Sequence, residues 1–526
     1  MTGGHMVVQM LHDLGAQNIF SVSGNQILPL YDAAGEYGLR IIHMRHESAA
    51  AYAAAAAAEI RNQPGIVLVS AGPAFVAALA GVAAAKSMEV PLLFLSGASA
   101  TTEMGAGGFQ DMDQQSIARA VCKASLEVAA IEQVQAVVSQ AWELAQTGIP
   151  GPVHVSLPAN VLRATASDQV VIQAHPPAPP QLASADESIL QTIAQHLTQA
   201  RRPLIIARPS VARGVAGKAL WSIARHLHIE PIITECPRGL HDLKYREIIR
   251  HYPDSDVALV IGPADFAVGF LARSTIASQG RLFLLDAPGD PQPRHPLDIH
   301  MQMPPVLALT YLQEHITESM VVGEEWVRLW SHTPPLEMLS EQTGIHPLEV
   351  AAHVRGVLQP DDVIILDGGE FCQWMRLGLR DIPNRVIWNS RLGGIGGSIP
   401  MALGVAATGH PGRTIALLGD GAAGYHFSEW ETAARYGFPL VTIIGNDARW
   451  AAEWFQQVHA YGPDRTFETA LSPARYDLVA NGLGATGTYV TDSATLGLAL
   501  LASVSAPGPV CLNVRILSLC SPAVET

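Results

Sequence analysis

Apolar residues in this chain come in short unbroken runs, not in the strict alternation of half-solvated strands. Asn18-Ile19-Phe20-Ser21-Val22, Leu39-Arg40-Ile41-Ile42-His43, Gly65 to Ser70, Pro91 to Gly97 and Val153 to Leu157 each read as a strand covered on both faces. The same pattern returns at Pro203 to Ala207, Pro231 to Ile233, Val257 to Gly262 and Arg281 to Asp286. It returns again at Asp362 to Asp367, Leu440 to Gly445 and Val510 to Val514. Helical stretches separate the runs: Met6 to Leu14 is amphipathic, and Ala49 to Ala58 is almost all alanine. Strand, turn and helix alternate throughout. The expected fold is α/β, with three consecutive doubly wound parallel-sheet domains over residues 1–165, 183–335 and 345–526. A linker at 166–182 holds Pro176-Pro177-Ala178-Pro179-Pro180 and should be semi-rigid.

A chain of 526 residues is long enough for about three domains, and 48% hydrophobic content supplies their cores. The net charge of −15, without a basic patch, disfavours nucleic acid as a partner. Five cysteines stand apart with no CxxC spacing, and the start lacks a basic or cleavage-type segment. A reduced, cytoplasmic setting is expected. The alanine run is too short and too closely flanked by charge to span a membrane.

The candidate chemistry centres on Gly419-Asp420-Gly421-Ala422, which follows an apolar run and precedes a helix expected to start near Tyr425. Asp447 lies 27 residues beyond Asp420, just past a second run. That interval holds one helix and a return to a neighbouring parallel strand. Both carboxylates then sit at the carboxyl ends of adjacent strands, where open α/β sheets bind ligands. Glycines allow backbone amides close to a phosphate, and a hard cation such as Mg²⁺ would bridge a diphosphate to the carboxylates. Upstream, Glu47 stands at a strand-to-helix junction. A helix-start glutamate serving free amides explains it by itself. Gly368-Gly369-Glu370, and the run Arg391 to Pro400 with its many glycines, suggest backbone held close to something. Trp450 and Trp454 flank Glu453; either they are core, or they make an apolar pocket around one carboxyl. An Arg449–Glu453 ion pair at i, i+4 is the competing arrangement.

With Arg45-His46-Glu47-Ser48-Ala49-Ala50, Val69-Ser70-Ala71-Gly72-Pro73 and Phe109-Gln110 preceding the Gly-Asp-Gly segment, the chain resembles the thiamine-diphosphate-dependent enzymes. The branch is that of acetolactate-synthase-like proteins, benzaldehyde lyase and 2-hydroxyacyl-CoA lyase. The resemblance runs nearly the whole length and implies a pyrimidine-binding, a central and a diphosphate-binding domain. It implies that Glu47 bonds the cofactor's aminopyrimidine, sharing a proton in an apolar setting so that a thiazolium ylid forms. Gln110, Phe109, Asn25, Gln26 and Ser70 would face the reacting carbon. Gly369 and Glu370 would offer amides to the distal phosphate, Gly393 would lend a carbonyl, and Ile395 would wedge the cofactor into its bent form. Gly419, Asp420, Gly421, Ala422 and Trp450 complete the cofactor site. The metal ligands would be Asp420, Asp447 and the Arg449 backbone oxygen, with Asn446 replacing Asp447 if the register slips by one.

The implied reaction is attack on a 2-oxo acid or aldehyde, through an enamine, by a lyase or carboligase; Glu453 would protonate the enamine or assist product release. A 2-hydroxyacyl-CoA lyase, an oxalyl-CoA-decarboxylase-like enzyme and a non-catalytic thiamine-diphosphate-binding subunit are the alternatives. The chain departs from the family pattern at Ala74-Phe75-Val76-Ala77, which is unusually apolar. It also lacks the paired histidines of pyruvate-decarboxylase-type enzymes around Phe109 to Gln115, and no long basic C-terminal lid is seen. FAD or ADP in the central domain is not favoured, because the turn after Ala207 lacks a triple glycine. A homodimer or homotetramer with active sites at the subunit interface is implied.

Overall fold

A computed structural model describes residues 1–166, 182–234, 251, 254–262, 280–290, 292–294, 297–316, 319, 321–331, 344–380, 382–388 and 391–522. Most of the linker expected at 166–182, including its proline run, lies outside the described residues, as does Cys236. The chain forms two compact units, one from residues 1–174 with 338–526 and one from 175–337. Among the described residues, no helix is long and apolar enough to cross a membrane.

The first unit holds two six-stranded parallel sheets. One contains β1 (Asn18–Ser21), β2 (Arg40–His43), β3 (Gly65–Val69), β4 (Leu92–Ala98), β5 (Ala124–Glu127) and β6 (Pro152–Pro158), in the order β2-β1-β3-β4-β6-β5. The second unit has one five-stranded parallel sheet of β7 (Pro203–Ala207), β8 (Ile232–Ile233), β9 (Val257–Ile261), β10 (Arg281–Asp286) and β11 (Ile299–Gln302), ordered β11-β10-β9-β7-β8. The first unit's other sheet contains β12 (Val363–Leu366), β13 (Arg385–Trp388), β14 (Thr414–Gly419), β15 (Leu440–Asn446), β16 (Thr486–Val490) and β17 (Val510–Arg515). Its order, β13-β12-β14-β15-β17-β16, repeats that of the first sheet strand for strand. The chain is thus an α/β protein with three parallel-sheet domains.

Most of the continuous apolar runs became inner strands, and β3, β4, β6, β12 and β15 are buried along their whole length; the runs Leu39 to His43 and Pro231 to Ile233 instead supply the edge strands β2, which is only partly buried, and β8. One expectation is corrected. The helix after β14 begins at Asp420 and ends at His426, instead of starting near Tyr425. Alanines 422 and 423 favour the helix immediately after the Gly-Asp-Gly turn.

The alanine run is a helix, Glu47–Arg61, in which every residue from Ser48 to Glu59 is buried. It packs on β3, on the helix Pro73–Met88 and on the helix Ser398–Ala407, so one apolar core joins the two sheets of this unit. Small side chains permit the approach. A Cβ on Gly404 would stand 2.0 Å from the Ala53 carbonyl oxygen, and one on Gly65 would stand 2.1 Å from that of Ala54. Polar bonds edge the contact: Asn18 donates to the Ala407 carbonyl (2.9 Å), Arg61 to that of Thr408 (2.9 Å), and Arg385 pairs with Glu59 (2.8 Å).

Gly404→Ala must therefore push two helix backbones apart, and we expect a loss of about 1–3 kcal/mol in urea unfolding. Gly356→Ala is the control. It lies in the helix Pro347–Val357 with nothing within 4 Å of the added carbon, and should be neutral or stabilising. Equal behaviour of the two variants would refute this account of the packing.

Candidate active site

In a sheet ordered 2-1-3-4-6-5 the chain reverses direction between its first and third strands, and the crevice beyond those carboxyl ends is the natural place for a ligand. In the β12–β17 sheet that crevice lies between Asp367-Gly368-Gly369, after β12, and Gly419-Asp420, after β14. Parallel pairing of β14 with β15 sets Gly419 opposite Gly445, so Asp447 emerges beside Asp420.

Asp420 is 2% exposed, and among the described residues its buried Oδ2 has no hydrogen-bond partner. Burial, with the Asp447 charge next in size, pushes its carboxyl up to about 7, although the amides of Gly421 and Arg449 oppose the shift. Asp447 is also raised, by burial, against the Ser518 hydroxyl, which donates to its Oδ2 at 2.8 Å, and the charges of Arg449 and Arg515. Asn446 turns elsewhere. Its amide nitrogen donates to the Ala474 carbonyl and to Asn513 Oδ1, each at 3.0 Å, and its Oδ1 accepts from the Ala448 amide at 3.2 Å. The structure therefore brings Asp447, and not Asn446, toward Asp420. Tyr476 donates its hydroxyl to the Asp420 carbonyl at 2.8 Å.

The glycines divide into two kinds. A Cβ on Gly369, Gly393 or Gly419 would meet nothing within 4 Å, so backbone is bare at these three points. Gly421 is not bare, because the Trp450 ring would lie 2.7 Å from such a carbon. Ala422 packs its side chain into the core with Leu418 and Trp430. Ile395 leans on Gly368, where an added Cβ would meet its Cγ2 at 2.7 Å. Glu370 begins the helix Glu370–Gly378, but its carboxylate accepts the Ser521 amide of the C-terminal segment.

The residue that organises the glycine loop was not singled out from the sequence. Asp367 accepts hydrogen bonds from the amides of Gly368 (2.8 Å), Gly396 (2.8 Å) and Ser398 (3.0 Å). It ties the loop Arg391 to Gly397 to the end of β12 and satisfies an orphan amide of the helix Ser398–Ala407. An acidic residue closing a strand before Gly-Gly was its only signal.

Around the β1–β6 sheet the structure gathers Gln26, Ser70 and Gln110 at the ends of β1, β3 and β4. Ser70 donates to Gln26 Oε1 (2.5 Å), and Gln26 Nε2 donates to Gln110 Oε1 (2.9 Å). Gln110 has φ +60° and lines a cavity of 550 Å³ with Ser99, Met104, Gln114 and Glu127. Asn25 is exposed, and Phe109 is 79% exposed. Glu47 is half-buried at the first turn of the alanine helix, with His46 as N-cap. Among the described residues its carboxylate forms no hydrogen bond or ion pair.

The helix Ala451–Tyr461 has no buried residue, and Glu453 is exposed on it. The apolar enclosure expected for Glu453 is thus not formed by this chain. Arg449 lays its guanidinium over the Trp454 ring, 4.4 Å from the centroid, in place of the ion pair with Glu453. In the second unit, the buried Asp286 at the end of β10 bonds His300 Nε2 at 2.9 Å.

Two parallel sheets of one topology, paired carboxylates and open glycines thus meet at neighbouring strand ends, the arrangement of a candidate cofactor site. Residues 1–117 match the family described as thiamine pyrophosphate enzyme, N-terminal TPP binding domain, and residues 367–514 match the corresponding C-terminal TPP binding domain. The chain belongs to the thiamine pyrophosphate enzymes. It is 28% identical to a probable acetolactate synthase of Mycobacterium bovis, over 98% of this chain and 95% of that protein. It is 26% identical to 2-hydroxyacyl-CoA lyase 2 of Caenorhabditis elegans (93% of this chain, 85% of that protein) and to acetolactate synthase of Bacillus subtilis (98% and 93%). It is accordingly an enzyme of the acetolactate synthase and 2-hydroxyacyl-CoA lyase type.

Asp367→Asn replaces one acceptor oxygen by a donor that faces backbone amides. We expect a loss of about 1–3 kcal/mol in thermal or urea unfolding, with faster amide exchange at Gly396 and Ser398. Unchanged exchange at both amides would show that the loop is held by other contacts.

Proposed function

We propose that this chain is a thiamine-diphosphate- and Mg²⁺-dependent lyase or carboligase acting on a 2-oxo acid or an aldehyde. The observation that carries the proposal is the buried, unpartnered Oδ2 of Asp420 beside a second carboxylate, Asp447, at a crevice rimmed by bare glycines. Two adjacent carboxylates and nearby backbone oxygens suit a hard divalent cation, and open backbone suits a diphosphate. Asp420, Asp447 and the Arg449 carbonyl would hold the metal. Gly369, Gly393 and Gly419 would present backbone to the cofactor, and Ile395 would set its bend. When bound, thiamine diphosphate supplies a carbon nucleophile that also takes up the electrons of the broken bond.

Glu47 would hold a proton against the aminopyrimidine when the cofactor is bound, with Asp420 and Asp447 of a second copy holding the diphosphate end in a dimer or tetramer. Gln26 and Gln110, bonded directly to each other while Ser70 holds Gln26, would orient the substrate carbonyl. Trp450 and Trp454 would border the substrate. Glu453, exposed in the single chain, is assigned to proton delivery only where a second copy covers it. A 2-hydroxyacyl-CoA lyase is the second reading, supported by similarity to such lyases over 93% of the chain.

The deciding experiment incubates the protein with thiamine diphosphate, Mg²⁺ and a panel of 2-oxo acids, aldehydes and 2-hydroxyacyl-CoA thioesters, and reads products by mass. Turnover of free oxo acids or aldehydes supports the first reading, and turnover of thioesters alone supports the second. Glu47→Gln should reduce any turnover about 10²-fold or more while cofactor binding stays near wild type. A wild-type rate would remove Glu47 from the mechanism.

Metal affinity should also depend on pH. Asp420 is raised to about 7 in the metal-free chain, so below that pH a proton competes with the cation, and above it the carboxylate is free. The sign follows: lower pH weakens binding. Mn²⁺, an oxygen-preferring probe used without cofactor, should bind about tenfold more weakly at pH 6 than at pH 8. The metal-free chain should in turn gain stability over the same descent, because a buried charge is neutralised. A pH-independent affinity would place the cation elsewhere.

A further inference from the structure

The turn that carries Glu47 is held from outside its own sheet. Glu429, the first residue of the helix Glu429–Tyr436, is 0% exposed. Its Oε1 accepts the Arg45 amide at 3.0 Å, the His46 amide is directed at the same carboxylate, and the Thr432 hydroxyl orients Oε2 at 2.6 Å. On the other side of Glu47, the Ser48 hydroxyl meets His426 Nε2 at 2.8 Å, and His426 Nδ1 meets the Gly396 carbonyl at 2.5 Å. Burial lowers the basicity of His426. A neutral ring that donates from Nδ1 to Gly396 accepts at Nε2, where it faces the Ser48 hydroxyl, which also lies 2.7 Å from His46 Nδ1.

Three of four consecutive residues, Arg45, His46 and Ser48, are therefore bonded to the helices that follow β14. The remaining one, Glu47, has its backbone fixed and its carboxylate left unengaged. That is the arrangement a reacting group needs: the main chain locked, the side chain free for an incoming partner.

We propose that Glu429 is a positioning residue for Glu47, with the Ser48–His426–Gly396 link as a second anchor that joins the glycine loop to the same turn. This inference rests on the assignment of Glu47 given above.

The test uses the full chain with thiamine diphosphate and Mg²⁺ and needs no substrate. Glu429→Gln keeps the volume but removes the charge and leaves one acceptor oxygen where a carboxylate serves three donors, the Arg45 and His46 amides and the Thr432 hydroxyl. Amide exchange across residues 45–48 of the cofactor-free protein should accelerate. Exchange of the C2 proton of bound thiamine diphosphate, read by NMR after acid quench, should slow about ten- to hundredfold, while cofactor affinity stays near wild type. In a Glu47→Gln background the same substitution should change C2 exchange less than about twofold, because Glu429 acts only through Glu47. Losses that multiply, or an unchanged C2 exchange in Glu429→Gln alone, would overturn the proposal. If Glu429→Gln does not fold, Thr432→Val removes only the orienting hydroxyl and should give the same order of effects at smaller size. A Glu47→Gln protein that exchanges C2 at the wild-type rate would defeat the assignment of Glu47 itself. Suppression by Glu47→Gln without any effect of Glu429→Gln would defeat only the inference drawn here.

Discussion

Everything in the larger unit depends on the contact between the helices Glu47–Arg61 and Ser398–Ala407. Alanine on one side and Gly404 on the other let backbone approach backbone, with no long side chain between. Such a contact tolerates little displacement, because close-packed interiors resist even a methylene. It also fixes two ends that matter. One helix starts with Glu47, and the other starts at Ser398, where the glycine loop ends. Sliding either helix would move a candidate catalytic carboxylate or the loop proposed to hold the cofactor.

The repeated sheet order gives a second constraint. Each six-stranded sheet has its crevice at the same place, yet the two are furnished differently. The β1–β6 crevice holds neutral hydrogen-bonding amides, Gln26 and Gln110, keyed by Ser70. The β12–β17 crevice holds two carboxylates and bare backbone. One scaffold thus supplies an orienting surface and a charged surface. The division of labour lies in the residues just past the strand ends, where loops change without disturbing the sheet.

How much of this was legible in the sequence followed from burial. Inner strands declared themselves because they are covered on both faces and read as unbroken apolar runs. The edge strands β5, β11, β13 and β16, partly buried and mixed in composition, did not, although the equally mixed edge strand β2 was read from its Ile41-Ile42 pair. Asp420 and Asp447 were visible because each follows such a run at a spacing fixed by one helix. Asp367, His426 and Glu429 were not singled out. Each has a partner far away in sequence: Gly396 lies 29 residues from Asp367, Ser48 lies 378 from His426, and Arg45 lies 384 from Glu429. No local pattern carries such a pairing: the contact between the two sheets creates those of His426 and Glu429, and the return of the glycine loop to the end of β12 creates that of Asp367. Glu453 shows the converse. Flanking tryptophans suggested an enclosed carboxyl, but the arginine two places before Ala451 stacks on Trp454 and the glutamate points away into solvent.

Asp447 shows why the site cannot be neutral in its effect on stability. An amide there would leave Asp420 with one buried charge to accommodate. A carboxylate adds a second, and the Ser518 hydroxyl with the Arg449 and Arg515 charges offsets only part of the cost, since Asp447 itself remains raised. Two like charges in a buried setting disfavour their own ionisation until a cation arrives. A cation held at the proposed site would remove a penalty as well as add ligand bonds. The segment from Asp447 to Leu471, whose backbone closes on itself through Trp450 to Thr469 and Leu471 to Ala448, is where that relief would be felt. On the proposed site, metal binding and the order of the Trp450-bearing segment would be energetically linked, because Asp447 begins that segment.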